Sequence, residues 1–198
     1  GKNGMIKAVD GVSFSLYKGE TLGLVGESGC GKSTLGRLLT GLEKPDAGTV
    51  WYDGNNLTAM SRQEKRGIRT KIQMVFQDSY SSLNPRKRIF DILSEPMLYH
   101  GLADRRSIRE ETGKLMDMVG LPREALERYP RQFSGGQRQR IGIARALSLR
   151  PELLICDEPV SALDVSIQAQ ILNLLRGLQE ELDLTCIFIG HGLGAVDY

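Results

Sequence analysis

The stretch "TLGLVGESGCGKST" (residues 21–34) constrains the fold more than any other part of the chain. Its first five residues have the length and apolar character of a buried strand, and they run straight into a glycine-rich turn. That turn, Gly26-Glu27-Ser28-Gly29-Cys30-Gly31-Lys32-Ser33 with Thr34 behind it, fits the phosphate-loop pattern G-x-x-x-x-G-K-[ST] in full. Glycines let the backbone curl so that successive N–H groups point inward at an anion, and the helix that follows adds its positive end. Lys32 offers a point charge to β- and γ-phosphates, and the Ser33 hydroxyl suits Mg²⁺. Strand, loop, lysine, hydroxyl and helix all agree on a nucleotide-binding turn.

The rest of the chain alternates strand-like runs with helical ones, which implies an α/β domain with a largely parallel, buried sheet. "VSFSLY" (12–17) alternates as a half-exposed strand does; "TVWY" (49–52), "IQMVF" (72–76), "LLIC" (153–156) and "TCIFIG" (185–190) are further strands. After the phosphate loop, Leu35, Leu38, Leu39 and Leu42 are expected on one helix face. From about residue 89 to 132 the strand signals stop. "FDILSEPMLY" and "RRSIREETGKLMDMVG" read as helices, the second with Ile108, Leu115, Met116 and Val119 on one face. This predicts a helical lobe inserted in the α/β core. A helix is expected from "SGGQ" to about Leu149, and another over "VSIQAQILNLLRGLQEEL", with Ile167, Ile171, Leu174, Leu175, Leu178 and Leu182 in one stripe.

Two further sites stand out. "LLICDEP" places Asp157 and Glu158 at the carboxyl end of a buried strand, the edge where open α/β sheets bind ligands. An aspartate there holds Mg²⁺, and a neighbouring glutamate accepts a proton from an attacking water. In "FSGGQRQR" (133–140), Ser134 is a natural helix cap, and Gly135 and Gly136 clear a helix N-terminus for a phosphate.

Composition narrows the classes. The 198 residues hold 26 Lys and Arg against 24 Asp and Glu, a net charge of +2, which argues against a broad nucleic-acid footprint. The basic "PRKR" (85–88) reads as solvated surface. Cys30, Cys156 and Cys186 have no metal-ligand spacing and read as reduced thiols, Cys30 being oxidisable in the loop. No apolar run approaches the roughly 18 residues that a bilayer span needs.

Taken together, these motifs resemble the nucleotide-binding subunits of ATP-binding-cassette (ABC) proteins. "AVDGVSF", "VFQDSYSSLNPR", "FSGGQRQRIGIARAL" and "DEPVSALDVSIQAQILNLL" are similar to the ATPases of bacterial oligopeptide and dipeptide importers, and related nickel and glutathione importers share much of this wording. The resemblance implies a P-loop NTPase core of ABC type, a RecA-like mostly parallel sheet with an N-terminal antiparallel β part and an inserted helical subdomain. It implies a single nucleotide-binding domain over 1–198, truncated at both ends, with α/β core 1–88 and 133–198 and helical subdomain about 89–132.

By the same resemblance, ATP and Mg²⁺ are the cofactors. Gln77 contacts Mg²⁺ and the attacking water, Asp164 of "SALD" crosses a dimer interface, and His191 contacts the γ-phosphate. Ser134, Gly135, Gly136 and Gln137 would complete the ATP site of an opposing subunit, so the two glycine turns serve two ATP molecules in a head-to-tail dimer. Glu158, His191, Lys32 and Gln77 are then the catalytic set, and Ser33, Gln77 and Asp157 the metal set. The implied partners are a second, identical or paralogous ATPase, integral-membrane permease subunits and, indirectly, a solute-binding protein, with no nucleic acid. The implied location is the cytoplasmic face of the cell membrane. Three departures stand: residues 1–10 hold no aromatic for adenine stacking, "GHGL" replaces a sequence similar to "SHDL", and the chain ends at Tyr198 before the family's carboxyl-terminal part. Two rival classes are a soluble ABC protein clamping nucleic acid or ribosomes, and a cassette that closes on ATP without hydrolysing it efficiently.

Overall fold

The computed structural model describes residues 7–190. Six strands occur among them: β1 (Thr21–Val25), β2 (Trp51–Tyr52), β3 (Asn55–Asn56), β4 (Ile72–Val75), β5 (Leu153–Asp157) and β6 (Thr185–Gly190). The helices are α1 (Lys32–Leu39), α2 (Lys65–Lys71), α3 (Ser79–Ser82), α4 (Ile89–Tyr99), α5 (Ile108–Met118), α6 (Gly135–Leu147) and α7 (Val165–Leu182), with 3₁₀ turns at Arg123–Glu127 and Pro130–Gln132. Strands β1, β6, β5 and β4 lie side by side in that order, and every pairing is parallel.

The strands alternate their burial between two apolar layers, as the period of two requires. Leu154 and Cys156 of β5, Cys186 of β6 and Val75 of β4 face a layer that also holds Ile92, Leu93 and Met116 of α4 and α5, Ile141 of α6 and Ile171 of α7. Ile155, Ile187, Ile189, Ile72 and Met74 face the opposite layer, with Leu39 of α1 and Leu57. Each fully buried Leu or Ile contributes about 1.5–3 kcal/mol relative to exposure, which makes the central strands β5 and β6 the spine of the molecule. Between β4 and β5 the chain is helical, and Ile108, Leu115, Met116 and Val119 are all buried there, on the face that their spacing predicts. In α7, Ile171, Leu175 and Leu178 are buried, while Ile167, Leu174 and Leu182 pack partly covered against the same layer.

Several expectations are corrected. Residues 12–17 form no ladder; Val12, Phe14 and Tyr17 are 53%, 42% and 69% exposed. Alternation makes an amphipathic strand, but a strand also needs backbone pairing with a neighbour, and residues 12–17 pair with no strand among the described residues. β1 is an edge strand with Thr21 and Val25 exposed, not a buried one. The antiparallel part is the β2–β3 hairpin, turned by Asp53 (φ 46°) and Gly54 (φ 72°), the pair that a two-residue hairpin loop favours. On α1 the residue pressed to the sheet is Gly36, within contact range of Ile189, Met74 and Ile155, and Leu42 lies beyond the helix at 62% exposure. The helix after "SGGQ" ends at Leu147, two residues early, although Leu149 is still buried.

Candidate functional site

Because the four sheet strands run parallel, their carboxyl ends share one edge. The phosphate loop leaves β1 there, Asp157 ends β5, and Gln77 follows two residues after β4. β6 ends with Gly190 at the same edge; His191 lies outside the described residues.

The loop's glycines have separate physical reasons. Gly29 (φ 78°) and Gly31 (φ 97°) take left-handed backbone that side chains resist. Gly31 is also crossed by the Ala8 carbonyl, whose oxygen would lie 2.0 Å from an added β-carbon. Lys32 is 7% exposed, and its Nζ donates to the carbonyls of Gly26 and Glu27, each at 2.7 Å. These bonds hold the ammonium at the centre of the loop. No side chain caps α1, and its first turn holds no acidic residue, so no cap or acidic group of the helix itself competes for its N-terminal N–H groups and dipole.

Ser33 Oγ donates to Asp157 Oδ1 at 2.8 Å, which joins the loop after β1 to the end of β5 across the intervening β6. Asp157 and Glu158 are 4% and 7% exposed. Burial raises the Asp157 carboxyl above its ordinary range; the neighbouring Glu158 charge adds to this, while the Ser33 bond and the Arg37 and Lys32 charges oppose it. Glu158 sits at φ 46°, an uncommon value for a non-glycine residue, with its N–H bonded to Ile189 O at 3.0 Å. Strain of this kind is held where the surrounding structure fixes a side chain's direction.

The residues present fit a nucleotide with Mg²⁺. A hydroxyl and a carboxylate already touch, beside a curled loop centred on a lysine. Mg²⁺ needs only one or two protein oxygens besides phosphates. Among the described residues no group of three or more His, Cys, Asp or Glu side chains forms an all-protein metal cage.

Ser134 caps α6: its Oγ accepts from Gln137 N at 3.3 Å, and Gln137 Oε1 accepts from Ser134 N at 3.0 Å. Gly135 and Gly136 lie against Leu163 and Ile167. Asp164 is exposed at the head of α7. Among the described residues no hydrogen bond joins this turn to the phosphate loop, so the two glycine turns of the chain are separate. Gln77 is exposed, and the segment after it is tied to α6: Arg138 lies 5.5 Å over the Tyr80 ring, and Arg145 Nη1 donates to Ser82 O. The motif reading misses Ala8, Ile167 and the Arg138–Tyr80 stack; all act through tertiary contacts that no local pattern announces.

A phosphate-loop strand–turn–helix, a buried carboxylate pair on a second parallel strand and a capped glycine turn at the head of α6 define a nucleotide-binding cassette. The chain belongs to the ABC transporter family, whose model matches residues 9–161. It is 56% identical to the oligopeptide transport ATP-binding protein AppF of Bacillus subtilis, over 98% of this chain and 60% of that protein. It is 54% identical to the dipeptide transport ATP-binding protein DppF of Escherichia coli, over 98% of this chain and 58% of that protein. The chain thus spans about 60% of the length of these relatives. Among solved structures it is similar to the ATP-binding cassette MJ0796, described as a dimer in a post-hydrolysis state bound to ADP and Pi (TM-score 0.84, 31% identity, 95% of this chain and 82% of that one). It is also similar to cbiO1 of Clostridium perfringens, part of the cbiONQ transporter complex (TM-score 0.83, 28% identity, 96% and 74%).

Proposed function

We propose that this chain is the ATP-binding and ATP-hydrolysing part of an ABC importer that energises uptake of peptides or a related small solute. The observation that carries the reading is the Ser33–Asp157 hydrogen bond, which sets the phosphate loop against the carboxylate pair. The names of the peptide-transport relatives support the solute class.

Lys32, held by the Gly26 and Glu27 carbonyls, faces the β- and γ-phosphates of ATP and offsets their charge. When bound, Mg²⁺ would be held by Ser33, Asp157 and Gln77 and would neutralise charge shared between phosphate oxygens. Glu158, directed by its own backbone, orients a water and takes its proton as the water oxygen attacks the γ-phosphorus. The bond from that phosphorus to the β-bridging oxygen breaks, leaving ADP and phosphate. His191, by family likeness, holds the γ-phosphate.

A second ATPase, identical or paralogous, presents its own Ser134–Gln137 turn, and Asp164 lines the contact between the two. Hydrolysis removes the phosphate shared by both chains, so the pair reopens: two states biased by a ligand. The Arg138–Tyr80 stack and the Arg145–Ser82 bond carry that movement to the Gln77 segment, beside which permease subunits dock. The helical segment of about residues 89–132 acts as the lobe that moves. None of the helices among the described residues is long and apolar enough to cross a membrane, so the permeases supply the membrane path. A solute-binding protein delivers the solute outside, and the cassette sits on the cytoplasmic face.

The test is Glu158→Gln in the full-length protein assembled with its permeases. It should retain ATP binding and lose nearly all turnover, whereas ordinary hydrolysis would refute the assigned base.

A further inference from the structure

Gly136 and Ile167 meet at a distance that only glycine allows. A β-carbon at Gly136 would fall 2.5 Å from Ile167 Cγ2, inside the 3.0 Å that real β-carbons respect. Ile167 cannot swing aside cheaply. A β-branched residue on a helix keeps one χ1 rotamer about nine times in ten, and this one is packed against the larger apolar layer. Gly135 is also close, with its β-position 3.2 Å from Leu163 Cδ2.

The segment on the far side of this contact is stiff. Ser161 N bonds Glu158 O at 3.2 Å, Leu163 N bonds Val160 O at 3.1 Å, and Ile167 N bonds Asp164 O at 2.9 Å. Successive tight turns therefore run from Glu158 into the head of α7, and Ile167 is where they touch the head of α6.

We infer that Ile167 is a positioning residue: it holds the Ser134–Gln137 turn in register with the Glu158 segment. The turn offered to one nucleotide and the carboxylate acting on the other then move as one piece. This rests on the composite-site reading given above. It adds a second reason for glycine at 136: beyond clearing a phosphate's approach, it lets α6 seat against Ile167.

Reciprocal substitutions separate the two reasons. The readouts are ATP turnover by the full-length protein, assembled with its permeases and partner ATPase, and the nucleotide affinity of the full-length chain by calorimetry. G136A should lower turnover about tenfold or more and I167A about threefold, with affinity within about twofold of the parent in both. The double variant G136A/I167A should turn over at least about threefold faster than G136A alone, because the methyl added on one side fills space vacated on the other, while any cost of that methyl at the phosphate remains. Losses that multiply in the double variant would overturn the inference, as would parental turnover in folded I167A. If G136A alone does not fold, I167A and the double variant decide by the same two criteria. A parent assembly that hydrolyses no ATP would overturn the composite-site reading and this inference with it; an active parent with multiplying losses overturns the inference alone.

Discussion

Ser33 Oγ and Asp157 Oδ1, separated by 124 positions in sequence, lie 2.8 Å apart in the folded chain. Both are hard oxygen donors, one on the phosphate loop and one at the end of β5. Their contact is the reason that the loop and the carboxylate pair form one site. Removing the hydroxyl with Ser33→Ala should weaken ATP binding about tenfold in Mg²⁺, or about 1.4 kcal/mol, and hardly change it in excess chelator. Calorimetric titration in the two buffers distinguishes these, and equal losses in both would mean that Ser33 serves the loop's shape and not the metal.

Asp157 is stabilising to the site and costly to the fold. Its carboxyl is raised mainly by burial, so the folded state favours the protonated form. Its contribution is most favourable below the ordinary aspartate range and is lost as pH rises through the raised value. At neutral pH Asp157→Asn should therefore stabilise the nucleotide-free protein, seen as a rise in Tm. The gain should vanish in acid, where both states of the parent are neutral, and Mg²⁺–ATP should no longer raise Tm as it does in the parent. Thermal melts across pH check both parts.

Two glycine replacements should move in opposite directions. Gly31→Ala meets the Ala8 carbonyl at 2.0 Å and a φ of 97°, so it should destabilise by on the order of 3 kcal/mol and abolish nucleotide binding. Gly67, inside α2, has nothing within 4 Å of its β-position and no positive φ. Gly67→Ala should stabilise by about 0.5–1 kcal/mol. Denaturant unfolding of the pair tests whether close approach, and not glycine content, governs these sites.

Gln139, on α6, is 2% exposed, and its Nε2 finds no hydrogen-bond partner among the described residues. A buried donor in that position costs about 1–3 kcal/mol. Gln139→Met keeps the shape and removes the donor, so it should raise stability by about 1 kcal/mol. A fall in Tm would show that the amide is satisfied in solution.

The legible parts of this fold are those whose cause is local. "LLICD" and "TCIFIG" are long apolar runs, and they form β5 and β6. The 18-residue stripe of α7 begins and ends where its periodicity does. The phosphate loop is readable because glycines, lysine and hydroxyl must occur at fixed offsets. Residues 12–17 carry a strand pattern and form none, since pairing depends on a neighbour that the pattern does not specify. The Asp53–Gly54 hairpin had a local signal in its turn pair, which the longer "TVWY" run obscured. Gly136 reads from sequence as room for a phosphate; its contact with Ile167 is tertiary, between helices about thirty residues apart, and no spacing rule encodes it.

The most direct measurement is a structure of the full-length Glu158→Gln assembly, stalled with ATP and Mg²⁺. Each γ-phosphate held by one chain's Lys32 loop should lie within hydrogen-bond distance of Ser134 Oγ and the Gly136 N–H of the chain opposite. Ser134 remote from every bound γ-phosphate, with the phosphate loops occupied, would contradict a site shared between two chains.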